Sequence, residues 1–127
     1  MTFRIPYPST KEGRRIWAQE YGLNAYWAGK HWSKRKRDAE FWHHLTRLEL
    51  GRQIPDAKMF DGPVSLRFRW DDHLDLSNHA AIAKMIEDAL KGRVIKDDSR
   101  AWVKGIIHEW WDGEAVEITV EPWEEVD

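Results

Sequence analysis

The 127-residue chain contains no cysteine, which excludes disulfides and any Cys-ligated zinc site. No apolar run approaches the ~20 residues that span a bilayer. The opening MTFRIPYPST lacks the basic segment, apolar core and small-residue cleavage site of a secretory signal. A cytoplasmic protein with no membrane partner is the expectation. There is no repeat and no Ser/Gly/Pro-rich linker, and domains run to roughly 100–200 residues. Residues 1–127 therefore form a single domain.

Net charge is also small, at −2, but it conceals an asymmetry. Residues 1–60 carry 12 Lys/Arg against 6 Asp/Glu, and residues 61–127 carry 8 against 16. The basic half attracts a polyanion, whereas the acidic half repels phosphate unless its carboxylates hold cations. A metal-dependent site for a nucleic-acid backbone reconciles the two halves. Termini that merely differ in surface composition do so as well.

Residues 6–13 collect Pro6, Pro8, Ser9, Thr10 and Gly13 and read as loop. Ser33 is the expected cap of a basic helix over 34–50, with Phe41, Leu45 and Leu48 on one stripe and Gly51 as its stop. From Val64 to Trp70 apolar and polar residues alternate, which predicts a half-buried strand with Arg67 and Arg69 facing out. The acidic loop 71–77 leads into a helix over 78–90 with Ile82, Met85, Ile86, Ala89 and Leu90 on its apolar face, ended by Gly92. Val94 and Ile95 suggest a strand start. Strands over 102–109 and 115–121 follow, joined by Asp112-Gly113, a hairpin signal. The fold class is α+β or mixed α/β, a small domain with a mixed sheet and two main helices packed on it.

The stretch DDHLDLSNHAAIAKMIEDALKGRVIKDDS, residues 71–99, carries the candidate chemistry. Asp71, Asp72 and Asp75 follow a strand, Lys84 and Asp88 are four apart on a helix face, and Asp97 and Asp98 lie in a later turn. Magnesium takes oxygen ligands and often needs only one or two carboxylates plus substrate phosphate, so an acidic cluster beside a lysine suits phosphodiester hydrolysis. Aspartates in turns also satisfy backbone donors, and Lys84 with Asp88 makes an ordinary helical ion pair.

The run D-L-S-N, a lysine six residues on, then E-D-A-L-K-G and I-K-D-D-S resembles the RusA family of Holliday junction resolvases, particularly its phage-borne members. That family has an acidic D-x-D-N segment before a helix that carries a lysine and a D-x-L-x-G-like end, then a D-D turn. The segment Gly22-Leu23-Asn24-Ala25-Tyr26-Trp27, followed by Lys30-His31-Trp32 and a basic helix, resembles the family's substrate-proximal N-terminal part. Leu23 to Val120 is covered. The resemblance implies a homodimeric, Mg²⁺-dependent endodeoxyribonuclease, with Mn²⁺ as a possible substitute, that makes paired nicks across four-way DNA junctions in recombination and repair. It assigns catalysis to Asp75, Lys84 and Asp98, and metal binding to Asp75 and Asp98 with Asp97 or Asp88. Ser77 stands where the pattern has its second aspartate, which removes one negative charge. A non-catalytic junction-binding relative with a decayed metal site is the alternative.

The expected DNA surface is basic and aromatic. Lys30, Lys34, Arg35, Lys36 and Arg37 interleave with Trp27, His31 and Trp32, and cations that displace condensed counterions give sequence-independent affinity. Asn24 and Asn78 join this set by the resemblance. Positive charge at a helix N-terminus opposes the macrodipole, a cost that a phosphate partner offsets. His43 and His44 are adjacent and cannot form an i, i+4 zinc pair, so packing or surface roles are expected. His73 and His79 flank the acidic motif within reach of phosphate. Of the pair Trp110-Trp111, at least one indole is expected on an exposed face as a subunit contact.

Overall fold

The computed structural model describes residues 1–124. Four strands form one mixed sheet: β1 (Thr2–Pro6), β2 (Val64–Trp70), β3 (Val103–Trp110) and β4 (Ala115–Pro122). Their order is β1-β4-β2-β3, with β1 and β2 antiparallel to the central β4, and β3 parallel to β2. The helices are α1 (Lys11–Tyr21), α2 (Leu23–Trp27), α3 (Trp32–Gln53) and α4 (Ala80–Leu90), the last preceded by a 3₁₀ turn at Leu76–His79. This is a small α+β domain around one hydrophobic cluster.

Strand β2 has the burial its sequence predicts. Val64, Leu66, Phe68 and Trp70 are buried, and Ser65, Arg67 and Arg69 are partly exposed on the opposite face. Register aligns Phe68 with Ile118 of β4, which in turn faces Phe3 of β1. An apolar row thus crosses three strands, and large cross-strand neighbours of this kind stabilise a sheet. On the other face the same register lines up charges. Arg4 pairs with Glu117 at 3.2 Å, Arg69 reaches Glu117 at 3.5 Å and Glu109 at 2.7 Å, and Arg67 reaches Glu109 at 3.5 Å. The outward arginines are therefore committed to an ion-pair ladder.

Several expectations are corrected. Residues 6–13 are not all loop: Pro6 ends β1, residues 7–10 are loop, and Thr10 caps α1, its Oγ1 accepting from Gly13 N at 3.0 Å. Helix α3 begins at Trp32, with His31 rather than Ser33 at the N-cap, and it runs through Gly51 to Gln53. The following Pro55 ends it, because a residue before proline avoids helical dihedrals. Val94 and Ile95 are buried but form only an isolated bridge, Lys91 with Ile95. Asp112-Gly113 does not close a hairpin, since β2 lies between β3 and β4. Gly113 has another reason to be there: a Cβ would come 2.3 Å from the Trp111 indole.

Candidate functional site

Lys84, Glu87, Asp88 and Lys91 recur at three- and four-residue spacing, so they share one stripe of α4 and its C-cap. The bend at residues 97–99 packs against this stripe. Lys84 Nζ lies 2.5 Å from Asp98 Oδ2 and 3.1 Å from Asp88 Oδ1, and Lys91 Nζ lies 3.7 Å from Asp98 Oδ1. The Lys84 hydrogen bond depresses the Asp98 pKa to about 2, so the carboxylate is ionised throughout the neutral range. Lys84 is pushed up in turn, first by Asp98 and then by Asp88 against an opposing desolvation cost. Glu87 is buried, and burial raises its pKa despite the nearby Lys84. Sequence reading missed Glu87 as a member of this cluster, although its place on the stripe three residues after Lys84 was visible.

The loop after β2 is held by a second network. Tyr7 Oη donates to Asp72 Oδ2 at 2.7 Å and accepts from Asp71 N at 2.9 Å. Asp72 Oδ1 accepts from Leu74 N at 2.9 Å, and both Asp72 oxygens lie 2.8 Å from His79 Nε2. His79 Nδ1 meets Leu76 O at 2.8 Å, and the ring stacks on Trp70 with centroids 4.0 Å apart. The expectation that His79 touches phosphate is corrected, because the imidazole is fully buried among these partners. His73 is exposed, as are His43 and His44 on α3.

Asp75 stands at the start of the 3₁₀ turn, exposed, and its carboxylate makes no capping bond. Its carbonyl accepts from Asn78 N at 2.9 Å; the Asn78 side chain is partly exposed and Ser77 is exposed. Lys84, Asp88 and Asp98 are thus brought together, and Asp97 is the residue next to Asp98 in the bend. Asp75 stays ahead of the α4 N-terminus and makes no hydrogen bond or ion pair with them. Among the described residues no three His, Asp or Glu side chains surround a common metal position. The available donors are carboxylate oxygens, which fit a hard cation such as Mg²⁺ held by one or two protein ligands, water and substrate phosphate.

The basic corner between α2 and α3 divides into two parts. Trp27 is 83% exposed and Trp32 is 71% exposed, and Asn24, Lys34, Lys36 and Arg37 are also open to solvent. Arg35 is exposed too, but its Nη2 donates to Tyr26 O at 2.7 Å and its guanidinium lies over the Tyr26 ring. Lys30 is corrected as a DNA contact. Its side chain is only 8% exposed and pairs with Asp38 at 2.5 Å and Glu20 at 3.3 Å. It therefore ties α1 to α3 instead of facing a ligand. Trp110 is exposed, while Trp111 is partly covered and donates to Ala115 O at 2.9 Å. No protein-family model matches the chain, and no curated protein or solved structure matches it at a significant level.

Proposed function

We propose that the chain is a RusA-like, Mg²⁺-dependent endodeoxyribonuclease that acts as a homodimer and nicks four-way DNA junctions. The observation that carries this reading is the meeting of Lys84, Asp88 and Asp98 on one side of α4. Lys84 and Asp98 are fourteen residues apart in sequence, and the family resemblance assigns both to catalysis. An exposed array of tryptophan and of cations without an ion pair among the described residues, elsewhere on the same small domain, suits a branched polyanion.

In this reading Lys34, Lys36 and Arg37 hold backbone phosphates, and Trp27 and Trp32 stack on bases freed at the branch, with Asn24 and Asn78 as further polar contacts. The ionised Asp98, with Asp97 or Asp88, would hold the cation; Asp75, which the resemblance adds to the set, lies ahead of the α4 N-terminus, outside this cluster. When bound, Mg²⁺ supplies an activated water and neutralises charge on the scissile phosphate. Lys84 provides the positive charge that stabilises the oxygens of the reacting phosphate. Phosphate binding draws Lys84 away from Asp98, which frees a carboxylate oxygen. A C₂ dimer matches the near two-fold symmetry of the junction and presents equivalent sites to opposing strands.

A second reading has its own support. Ser77 removes one acidic ligand from the expected pattern, and both Asp98 oxygens already face lysine ammonium groups. These features suit a junction binder without cleavage. Incubation with a labelled four-way junction, Mg²⁺ or Mn²⁺, and EDTA and Asp98→Asn controls separates the two. Paired nicks lost in both controls support the nuclease, and a band shift without nicks supports the binder. The absence of both contradicts either reading.

A further inference from the structure

A cavity of about 1010 Å³ lies between the loop that follows β1, helix α1 from Lys11 to Gln19 and the loop that follows β2. It is separate from the Lys84–Asp98 cluster and from the Trp27–Trp32 corner. Tyr7 and Trp17, edge-to-face at 5.0 Å, give it an aromatic wall. Lys11, Arg14 and the Glu12–Arg15 ion pair line the α1 side, and Asp71 and Asp72 the other.

The two sides differ in how far their charges are already answered. Asp72 accepts from Tyr7, Leu74 and the His79 ring, and Asp71 Oδ2 accepts from Glu114 N at 2.8 Å. Neither Lys11 nor Arg14 is ion-paired among the described residues. Arg14 donates only its Nε, to Pro8 O at 3.0 Å, and its guanidinium carbon lies 5.9 Å from the Tyr7 ring centroid. The cavity therefore offers, among the described residues, two cations without a carboxylate partner beside an aromatic wall, and one Asp71 oxygen still able to accept a hydrogen bond. An anion attached to a flat ring that carries a hydrogen-bond donor, such as the N3–H of thymine or uracil, complements that set. The volume is at the upper end of the roughly 300–1,000 Å³ of small-molecule sites, and it suits a nucleotide that continues into a strand.

We infer that this cavity takes one unpaired nucleotide of the bound DNA, its phosphate against Lys11 and Arg14 and its base toward Tyr7, Trp17 and the free oxygen of Asp71. The inference rests on the DNA reading above and adds a second contact region to it. A base inside an intact duplex cannot enter such a cavity without unstacking, whereas a branch point supplies bases at lower cost. The cavity thus contributes to preference for branched over continuous duplex DNA.

The test uses a four-way junction with 5-iododeoxyuridine either at the branch or in mid-arm, irradiated in complex with the full chain and mapped by mass spectrometry. Crosslinks from the branch position to the peptide holding Tyr7 to Trp17, absent from the mid-arm probe, are expected. Ser9→Trp, an exposed substitution that fills the cavity, should abolish them while the junction still shifts in a gel. Arg14→Gln, a second variant, should lower the salt slope of binding to single-stranded oligothymidylate by about 0.7, the value for one phosphate contact. Crosslinks confined to Trp27 or Trp32, or a slope unchanged by Arg14→Gln, overturn the cavity assignment and leave the DNA reading standing. No shift of the junction by the wild-type chain overturns both.

Discussion

Lys84 and Asp98 lie 2.5 Å apart, one from a helix and the other from the bend ahead of β3, and each moves the other's pKa toward its charged form. The pair has a defined pH window. Because the folded Asp98 pKa is depressed from 3.8 to about 2, its contribution to stability is present above pH 3.8 and is lost as pH falls through about 2. In Lys84→Met, ¹³C NMR of the aspartate carboxyl groups should show Asp98 titrating close to its ordinary value. The stability difference from wild type should shrink over the same acidic interval.

Tyr7 has one hydroxyl that serves two partners, Asp72 as acceptor and Asp71 N as donor. Tyr7→Phe leaves that part-buried amide without its acceptor and Asp72 without one donor. A cost of about 1–3 kcal/mol is expected in urea unfolding. The His79 ring should lose order at the same time, seen as broadened imidazole resonances.

Gly51 lies inside α3, and a Cβ there would meet open space. Gly51→Ala should therefore stabilise the protein by about 0.5–1 kcal/mol. A destabilised variant in thermal unfolding would show that the helix ends at residue 51 after all.

Lys30 and Lys36 are both lysines of the basic corner but have different surroundings. Lys36→Ala should leave the unfolding midpoint unchanged and reduce the salt slope of duplex DNA binding by about 0.9. Lys30→Ala should do the reverse, lowering stability because it strands the largely buried Asp38 carboxylate, and leaving the slope alone.

These residues also show what could be read before the structure. Strand β2 was legible because its core side follows a two-residue period, and α4 because Ile82, Met85, Ile86 and Leu90 follow a helical one. Strand order was not, because the Asp112-Gly113 signal is local while the insertion of β2 between β3 and β4 depends on pairings 39 to 58 residues apart. Helix α1 was hidden by Pro8 and Gly13, which punctuate the sequence although Thr10 uses that turn to cap the helix. In the candidate site, Lys84, Asp88 and Asp98 were visible as residue types at suggestive spacing. The internal partners of Lys30 and the burial of Glu87 and His79 arise only from packing. A charge can be read in one dimension, but whether it has already been neutralised cannot.

The most direct test of the account is single-turnover nicking of a four-way junction in Mg²⁺, compared across wild type, Lys84→Met and Asp98→Asn at matched junction occupancy. Paired nicks near the branch are expected for wild type, and a loss of roughly 10²-fold or more in each variant with binding retained, the scale seen when one electrostatic stabiliser is removed. Nicking that persists unchanged in both variants would contradict the assignment of chemistry to the Lys84–Asp98 site.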